Sequence, residues 1–244
     1  MILQQLSPEI LRQSLTSLVM VVISLIIGIR ILTKYFKVKQ KTLLTVGIAW
    51  ICLTTPWWGE ILSLISFLFT RKPLDAFTFL LIVNIFIPVS VVSWIYSYCE
   101  ILKVKREKLI LIILIIISVI YDVLIIILLS IDTTLVGVIS ERFTARQADF
   151  VVIFQISALL TLVLTGFRFS YVSMKSDDKK TEIKGRFLFA AFLLFLIGAA
   201  LDALIFPMDF ITLVITRILL ITSSICYYFG FFLPEKVASL FIKS

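Results

Sequence analysis

Long apolar stretches alternate with short polar segments along the whole chain. Each of the seven stretches approaches or exceeds the length of about 20 residues that a helix needs to cross a bilayer. This pattern predicts an all-α membrane protein, folded as a single domain that is a seven-transmembrane-helix bundle. The predicted spans are residues 11–33, 42–69, 76–101, 109–130, 148–172, 187–206 and 210–232.

The second apolar stretch is interrupted by the sequence PWWGE at residues 56–60. Because proline removes a backbone hydrogen bond, we predict one long helix with a kink at Pro56. The alternative is a shorter span followed by an interfacial helix that reaches Phe69, since tryptophan is enriched at membrane interfaces. A second kink is predicted at Pro88, which has no N–H to donate to the carbonyl of Asn84.

Lysine and arginine are unequally distributed between the two sets of connections. Seventeen of these basic residues lie in or beside the connections on one side of the predicted bundle, and five lie on the other side. The positive-inside rule places the basic side in the cytoplasm, so we predict a cell-membrane protein with its N-terminus outside and its C-terminus inside. The net charge of +8 then orients the chain in the lipid bilayer, and no nucleic-acid partner is expected.

Composition excludes several kinds of chemistry. The 244 residues are 61% hydrophobic and include no histidine, which argues against bis-histidine haem, histidine phosphotransfer and most catalytic zinc sites. We find no nucleophile–base pair, no metal-ligand spacing and no phosphate-binding glycine loop. The three cysteines lie within or at the ends of apolar stretches, so no extracellular disulfide is expected. We therefore expect no enzyme, no metal and no cofactor.

Polar side chains fall within the outer halves of five predicted spans: Asn84, Asp122, Gln155, Asp202 and Arg217. Because an unpaired charge inside a bilayer is costly, Arg217 is predicted to pair with Asp122 or with Asp202. The five side chains form either a structural network between helices or a polar pocket that opens outward to a ligand. The excess of one acid over the single arginine favours either a functional role or a protonated aspartate.

Two smaller patterns concern the end of the chain. The small residues from Gly198 to Ala203 predict close packing of the sixth span on the seventh, with a dimer contact as the alternative. In the tail, residues 235–244, Val237, Leu240 and Phe241 recur at helical spacing. The tail is therefore either a short amphipathic helix on the inner leaflet or a frayed end.

Several stretches of the C-terminal third resemble a known group of proteins. They are KSDD at 175–178, KGRF at 184–187, GAALDA at 198–203, RILL at 217–220 and YFGFFLPE at 228–235. They resemble an uncharacterised family of archaeal seven-helix membrane proteins, similar to the seven-helix sensor modules of prokaryotic signalling proteins. The resemblance implies a sensor. Because the sequence stops soon after the seventh span, a signal would pass to a separate cytoplasmic partner.

The leading hypothesis is therefore a receptor-like bundle that binds a small or lipophilic ligand among the outer halves of its helices. The loop at residues 173–185 and the tail would present the state of the bundle inside the cell. The alternative is a transporter or channel for a small molecule or ion, although we find no internal repeat. A third hypothesis, an intramembrane enzyme with Asp122 and Asp202 as an aspartyl pair, has no supporting motif.

Overall fold

The protein is described by a computed structural model that covers residues 7–140, 143–204 and 209–241. Seven segments of this part are long and apolar enough to cross a membrane, as predicted, and they support a multi-pass membrane protein. Two of these segments consist of two helices each. The helices are α1 (Pro8–Val38), α2 (Lys41–Leu53), α3 (Trp58–Thr70), α4 (Ala76–Ile85), α5 (Ile87–Leu102), α6 (Glu107–Ile131), α7 (Asp149–Met174), α8 (Lys179–Leu204), α9 (Phe210–Phe231) and α10 (Glu235–Phe241).

Consecutive spans alternate in direction, so the bundle has two chemically different ends. Helices α1, α4 and α9 begin at one end, which we call the Lys-poor end. The opposite end carries the connections α1–α2, α5–α6, α7–α8 and α9–α10, and we call it the Lys-rich end. The Lys-rich end is the side with seventeen basic residues, and the Lys-poor end is the side with five.

Three helices start at capping side chains of the Lys-poor end. Ser7 caps α1, with its Oγ 3.3 Å from the N–H nitrogen of Ile10. Asp75 caps α4, and hydrogen bonds from the backbone and side chain of Thr78 lower the pKa of its carboxyl group. Asp209 caps α9, and Thr212 lowers its pKa in the same way. These caps satisfy N–H groups that a helix leaves unpaired in its first turn.

Both predicted proline kinks are present. Between α2 and α3 the chain forms one turn of 3-10 helix, Thr55–Trp57, and the whole segment counts as one candidate span. The break at Pro56 agrees with the predicted kinked helix, and the membrane position of α3, which distinguishes it from an interfacial helix, stays a prediction. Helices α4 and α5 are separated at Phe86, two positions before Pro88. Each proline lies in the first turn of a new helical segment, where the missing N–H is not needed.

The core lies among α1, α2, α5, α7, α8 and α9. Trp50 stacks on Tyr227 with ring centroids 3.9 Å apart, and Trp94 contacts Phe192 edge to face. Helix α8 packs tightly on α9, where a Cβ on Gly198 would lie 2.8 Å from Leu220, so the predicted small-residue packing is confirmed. Helix α6 is peripheral, since only 11% of its apolar window is buried.

The connection between α6 and α7, left between the predicted spans as residues 131–147, contains short elements of secondary structure. It contains a 3-10 turn, Thr133–Leu135, and two antiparallel strands, β1 (Gly137–Ile139) and β2 (Ala145–Gln147), with Gly137 opposite Gln147. Strands of three residues are too short for an alternating pattern to reveal them. The buried ring of Phe143 packs on the end of the bundle, 6.4 Å from the ring of Phe67.

Helix α8 starts earlier than the predicted sixth span, at Lys179, so the predicted loop 173–185 is largely helical. Asp178 accepts a hydrogen bond from the backbone N–H of Thr181 at 3.0 Å. Glu182 then pairs with Lys179 at 2.8 Å and with Arg186 at 2.6 Å. Such pairs one turn apart stabilise polar helical segments. Residues 205 and 206 of the predicted span lie outside the described residues.

The tail forms a short helix, so the frayed alternative is wrong for residues up to Phe241. The ring of Phe241 contacts the ring of Phe187 edge to face at 5.8 Å, and Ala238 is buried beside Ile183 and Leu233. Helix α10 therefore packs against the Lys-rich end of α8. The last three residues of the tail, 242–244, lie outside the described residues.

Candidate functional site

A group of three charged side chains and one tryptophan lies in the half of the bundle towards the Lys-poor end. It consists of Trp57, Glu60, Asp202 and Arg217, which we call the charge cluster. Arg217 Nη1 donates to Asp202 Oδ1 at 2.9 Å, and Trp57 Nε1 donates to Asp202 Oδ2. Arg217 is only 3% exposed and Glu60 only 7%. Glu60 also lies within electrostatic range of Arg217 and Asp202, so a second acid lies near the ion pair without joining it.

Helix α1 supplies the polar groups that solvate Glu60. Ser17 Oγ donates to Glu60 Oε2 at 2.9 Å, and Gln13 Nε2 donates to Glu60 Oε1 at 3.4 Å. Ser17 itself has no exposed surface. A carboxylate removed from bulk water requires such donors, so α1 contributes directly to the site.

The parallel packing of α1 on α9 brings these donors level with Arg217. The hydroxyl groups of Ser24 and Ser224 lie 2.8 Å apart, and the guanidinium of Arg12 lies 5.2 Å from the ring centre of Phe210. The first half of α1 therefore lies beside the first half of α9. At the helical rise, seven residues from the start of α9 place Arg217 about 10 Å into the span.

The break in the second span positions two members of the charge cluster. Pro56 lies in the 3-10 turn, and the turn presents Trp57 to Asp202 and to Arg217, whose guanidinium lies 6.0 Å from the Trp57 ring centre. Helix α3 starts afresh immediately afterwards, which places Glu60 in its first turn. The free N–H groups at a helix start favour a carboxylate there. The kink is thus part of the architecture of the site.

Three buried polar atoms in this region have no hydrogen-bond partner within the described residues: Arg217 Nε, Ser14 Oγ and Thr216 Oγ1. Ser14 and Thr216 have no exposed surface at all. Buried polar atoms are normally paired, because an unpaired one costs about 1–3 kcal/mol. One guanidinium N–H and two hydroxyl groups are therefore left without a partner by the described residues.

A second polar group, the amide cluster, consists of Asn84, Tyr121, Gln147 and Gln155. The Asn84 side chain donates to the Leu80 carbonyl at 2.9 Å and to Gln147 Oε1 at 3.0 Å. Its Oδ1 accepts from Tyr121 and from Gln155, each at 3.0 Å. All four hydrogen-bonding positions of the amide are thus occupied. The amide cluster joins α4, α6, α7 and β2, and the Asn84 amide has no capacity left for a ligand.

Replacing Asn84 with leucine is expected to lower the free energy of unfolding by about 2 kcal/mol, because it leaves one buried and two half-buried partners on three other elements unpaired. The measurement is equilibrium unfolding of the purified protein in detergent. Thr161→Ala serves as the control, since the hydroxyl of Thr161 bonds only to its own helix, at the Ser157 carbonyl. Equal stability of both variants would show that the amide cluster does not join the helices.

Asp122 belongs to neither cluster. Arg217 pairs with Asp202, so that predicted pairing is confirmed, and no ion pair between Asp122 and Arg217 occurs among the described residues. The reason is the order of the helices: α6 packs on α4 and α5, whereas α9 packs on α8 and α1. Asp122 is half-buried, and its Oδ1 has no partner within the described part of the chain.

The structure thus divides the five predicted site residues into two pairs and one separate side chain. Asn84 meets Gln155, and Asp202 meets Arg217. Sequence reasoning missed Glu60, which it treated as part of the interruption of the second span. The available signal was an acid at the start of an apolar stretch long enough to be buried.

Among the described residues, no group of three or more histidine, cysteine, aspartate or glutamate side chains could hold a metal ion. No protein-family model matches the chain, and no curated protein matches it. The functional proposal that follows therefore rests on the geometry of the charge cluster.

Proposed function

We propose that the chain is a receptor-like protein of the cell membrane, with its N-terminus outside and its C-terminus in the cytoplasm. It binds a small or lipophilic ligand at the charge cluster and signals through a separate cytoplasmic partner. One observation carries this proposal: a buried arginine paired with one acid and near a second acid lies in the same half of the bundle as three unpartnered polar atoms. A purely structural ion pair needs neither the second acid nor the unpaired donor.

Helices α8 and α9 connect the charge cluster with the Lys-rich end. Helix α8 carries Asp202 near one end and packs on α10 near the other, and α9 carries Arg217 and runs beside α8 along its length. A ligand that bridges α1 and α9 would favour one arrangement of this helix pair. It would shift the bundle by the difference between its affinities for the two arrangements.

The test is a ligand-stabilisation screen of the purified protein with small amines, carboxylates and membrane lipids as probes. We expect at least one probe to raise the unfolding temperature of the wild type and of Asp122→Asn. The same probe should not stabilise Glu60→Gln, which keeps the size of the side chain but removes its charge. Asp122→Asn is the matched control, because it removes an acid outside the charge cluster.

The proposal fails if no probe stabilises the wild type. It also fails if a probe stabilises Glu60→Gln as much as it stabilises the wild type, because the binding site would then lie elsewhere. A charge cluster with a purely structural role would lower the stability of Glu60→Gln without changing the response to any probe.

A transporter remains the second candidate function, and one observation favours it. Two of the seven candidate spans are discontinuous, at residues 54–57 and at Phe86. Broken helices occur at the substrate sites of many transporters. Proton or sodium flux into liposomes containing the protein, above the flux into empty liposomes and abolished in Glu60→Gln, would favour transport over reception.

A further inference from the structure

A cavity of about 580 Å³ lies at the Lys-rich end, among α2, α5, α7, α8 and α9. Its volume lies within the range of about 300–1,000 Å³ that is typical of small-molecule sites. Four candidate spans have one end beside this cavity. Two of them begin there, at Lys41 and Lys179, and two end there, at Leu102 and Met174. The cavity therefore lies at the depth of lipid headgroups, and no member of the charge cluster lines it.

The charged side chains of this basic cavity carry a net positive charge. They are three lysines, Lys41, Lys103 and Lys184, and one acid, Glu100. Glu100 is already paired with Lys103 at 3.1 Å. Lys41 and Lys184 have no ion pair with any described residue, so two cationic groups remain for an anion.

Uncharged donors complete the wall of the basic cavity. The hydroxyl groups of Thr42 and Ser173 belong to residues that line it. Helix α2 also starts at this wall, where no side chain caps its free N–H groups and no acid lies in its first turn. The start of a helix attracts anions through these N–H groups and the helix dipole. The lining also includes the apolar side chains of Phe169, Leu188 and Phe231.

We infer that the basic cavity binds a phosphate-bearing anion, either the headgroup of an anionic lipid or a soluble phosphate compound. Lysines, hydroxyl groups and an uncapped helix start are the groups that bind phosphate oxygens in proteins. Basic pockets between membrane helices bind anionic headgroups in the same way. This site lies at the other end of the bundle from the charge cluster, so it does not depend on the proposed receptor function.

The experiment places the purified protein in nanodiscs and compares three conditions. The first is phosphatidylcholine alone, the second adds a minor fraction of phosphatidylglycerol, and the third adds inorganic phosphate to phosphatidylcholine nanodiscs. Binding is followed by the unfolding temperature and, after detergent extraction, by lipid retention in native mass spectrometry. The test variant is the double substitution Lys41→Gln with Lys184→Gln. The matched control is Lys37→Gln with Lys105→Gln, which removes two exposed lysines from the same end but outside the cavity.

We expect the anion to stabilise the wild type and the control equally and to bind the test variant about 10- to 30-fold more weakly. Stabilisation by phosphatidylglycerol alone identifies a lipid headgroup site, whereas stabilisation by inorganic phosphate identifies a site for soluble phosphate. Lys184→Arg, which keeps the charge, should bind as the wild type does, and the single variants Lys41→Gln and Lys184→Gln, each expected to bind more weakly than the control, cover the case that the double variant does not fold. Equal binding by the test variant, or an equal loss in the control, would overturn the inference.

Discussion

Replacing Arg217 with glutamine is expected to lower the free energy of unfolding by about 3–5 kcal/mol, which is the usual cost of removing one partner of a buried ion pair. The side chain of Arg217 is 4% exposed, and that of Asp202 is 20% exposed. Without the arginine, Asp202 and Glu60 are left as neighbouring acids inside an apolar bundle. Equilibrium unfolding in detergent, followed by tryptophan fluorescence, measures the effect.

A double-mutant cycle with Asp202→Asn separates the ion pair from other effects of the substitution. Because the two side chains are in direct contact, their coupling energy should reach about 1–3 kcal/mol. Asp122→Asn in the Arg217→Gln background is the control, and it should recover none of the lost stability. Additive effects of Asp202→Asn and Arg217→Gln would contradict the direct pairing.

Gly47→Ala is expected to lower the free energy of unfolding by about 3 kcal/mol, because it overpacks the contact between α1 and α2. A Cβ on Gly47 would lie 2.8 Å from the carbonyl oxygen of Gly28 and 2.8 Å from the backbone nitrogen of Leu32. Backbone atoms cannot rotate away as a side chain does, so the two helices must separate. The same unfolding measurement tests this expectation.

Gly198→Ala is the matched comparison for that substitution. Its Cβ would meet the side chain of Leu220 at 2.8 Å, and a leucine side chain can change its rotamer. The expected loss is about 1 kcal/mol, and the gain in helix propensity from glycine to alanine is the same at both positions. A larger loss for Gly198→Ala than for Gly47→Ala would show that the close approach of α1 and α2 does not limit stability.

Much of the fold follows from the sequence, because membrane helices are determined by features that are local in the chain. Apolar length predicts the seven candidate spans, and Pro56 and Pro88 predict the two breaks. The pairing of Asp202 with Arg217 is one of the two predicted alternatives, and it follows from the short connection that places their helices side by side. Each of these features depends on residues that are close in sequence.

The rest of the site depends on how distant helices pack, which a pattern in a single sequence does not contain. Glu60 meets Ser17 only because α3 crosses α1, and Tyr121 meets Asn84 only because α6 packs on α4. For the same reason, Asp122 was considered as a partner of Arg217. The early start of α8 was missed because its first turns are stabilised by ion pairs rather than by apolar periodicity.

The receptor proposal and the phosphate inference share one premise: the bundle crosses the cell membrane seven times, with the charge cluster towards the outside and the basic cavity towards the cytoplasm. The premise can be tested in a variant whose three native cysteines are replaced with alanine. A single cysteine is then introduced at one of three exposed positions: Ser7, Thr134 or Ser239. The measurement is labelling of intact cells with a membrane-impermeant maleimide. The account predicts that Ser7→Cys and Thr134→Cys are labelled, and that Ser239→Cys is labelled only after permeabilisation. Labelling of Ser239→Cys in intact cells, or equal labelling at Ser7→Cys and Ser239→Cys, would contradict it.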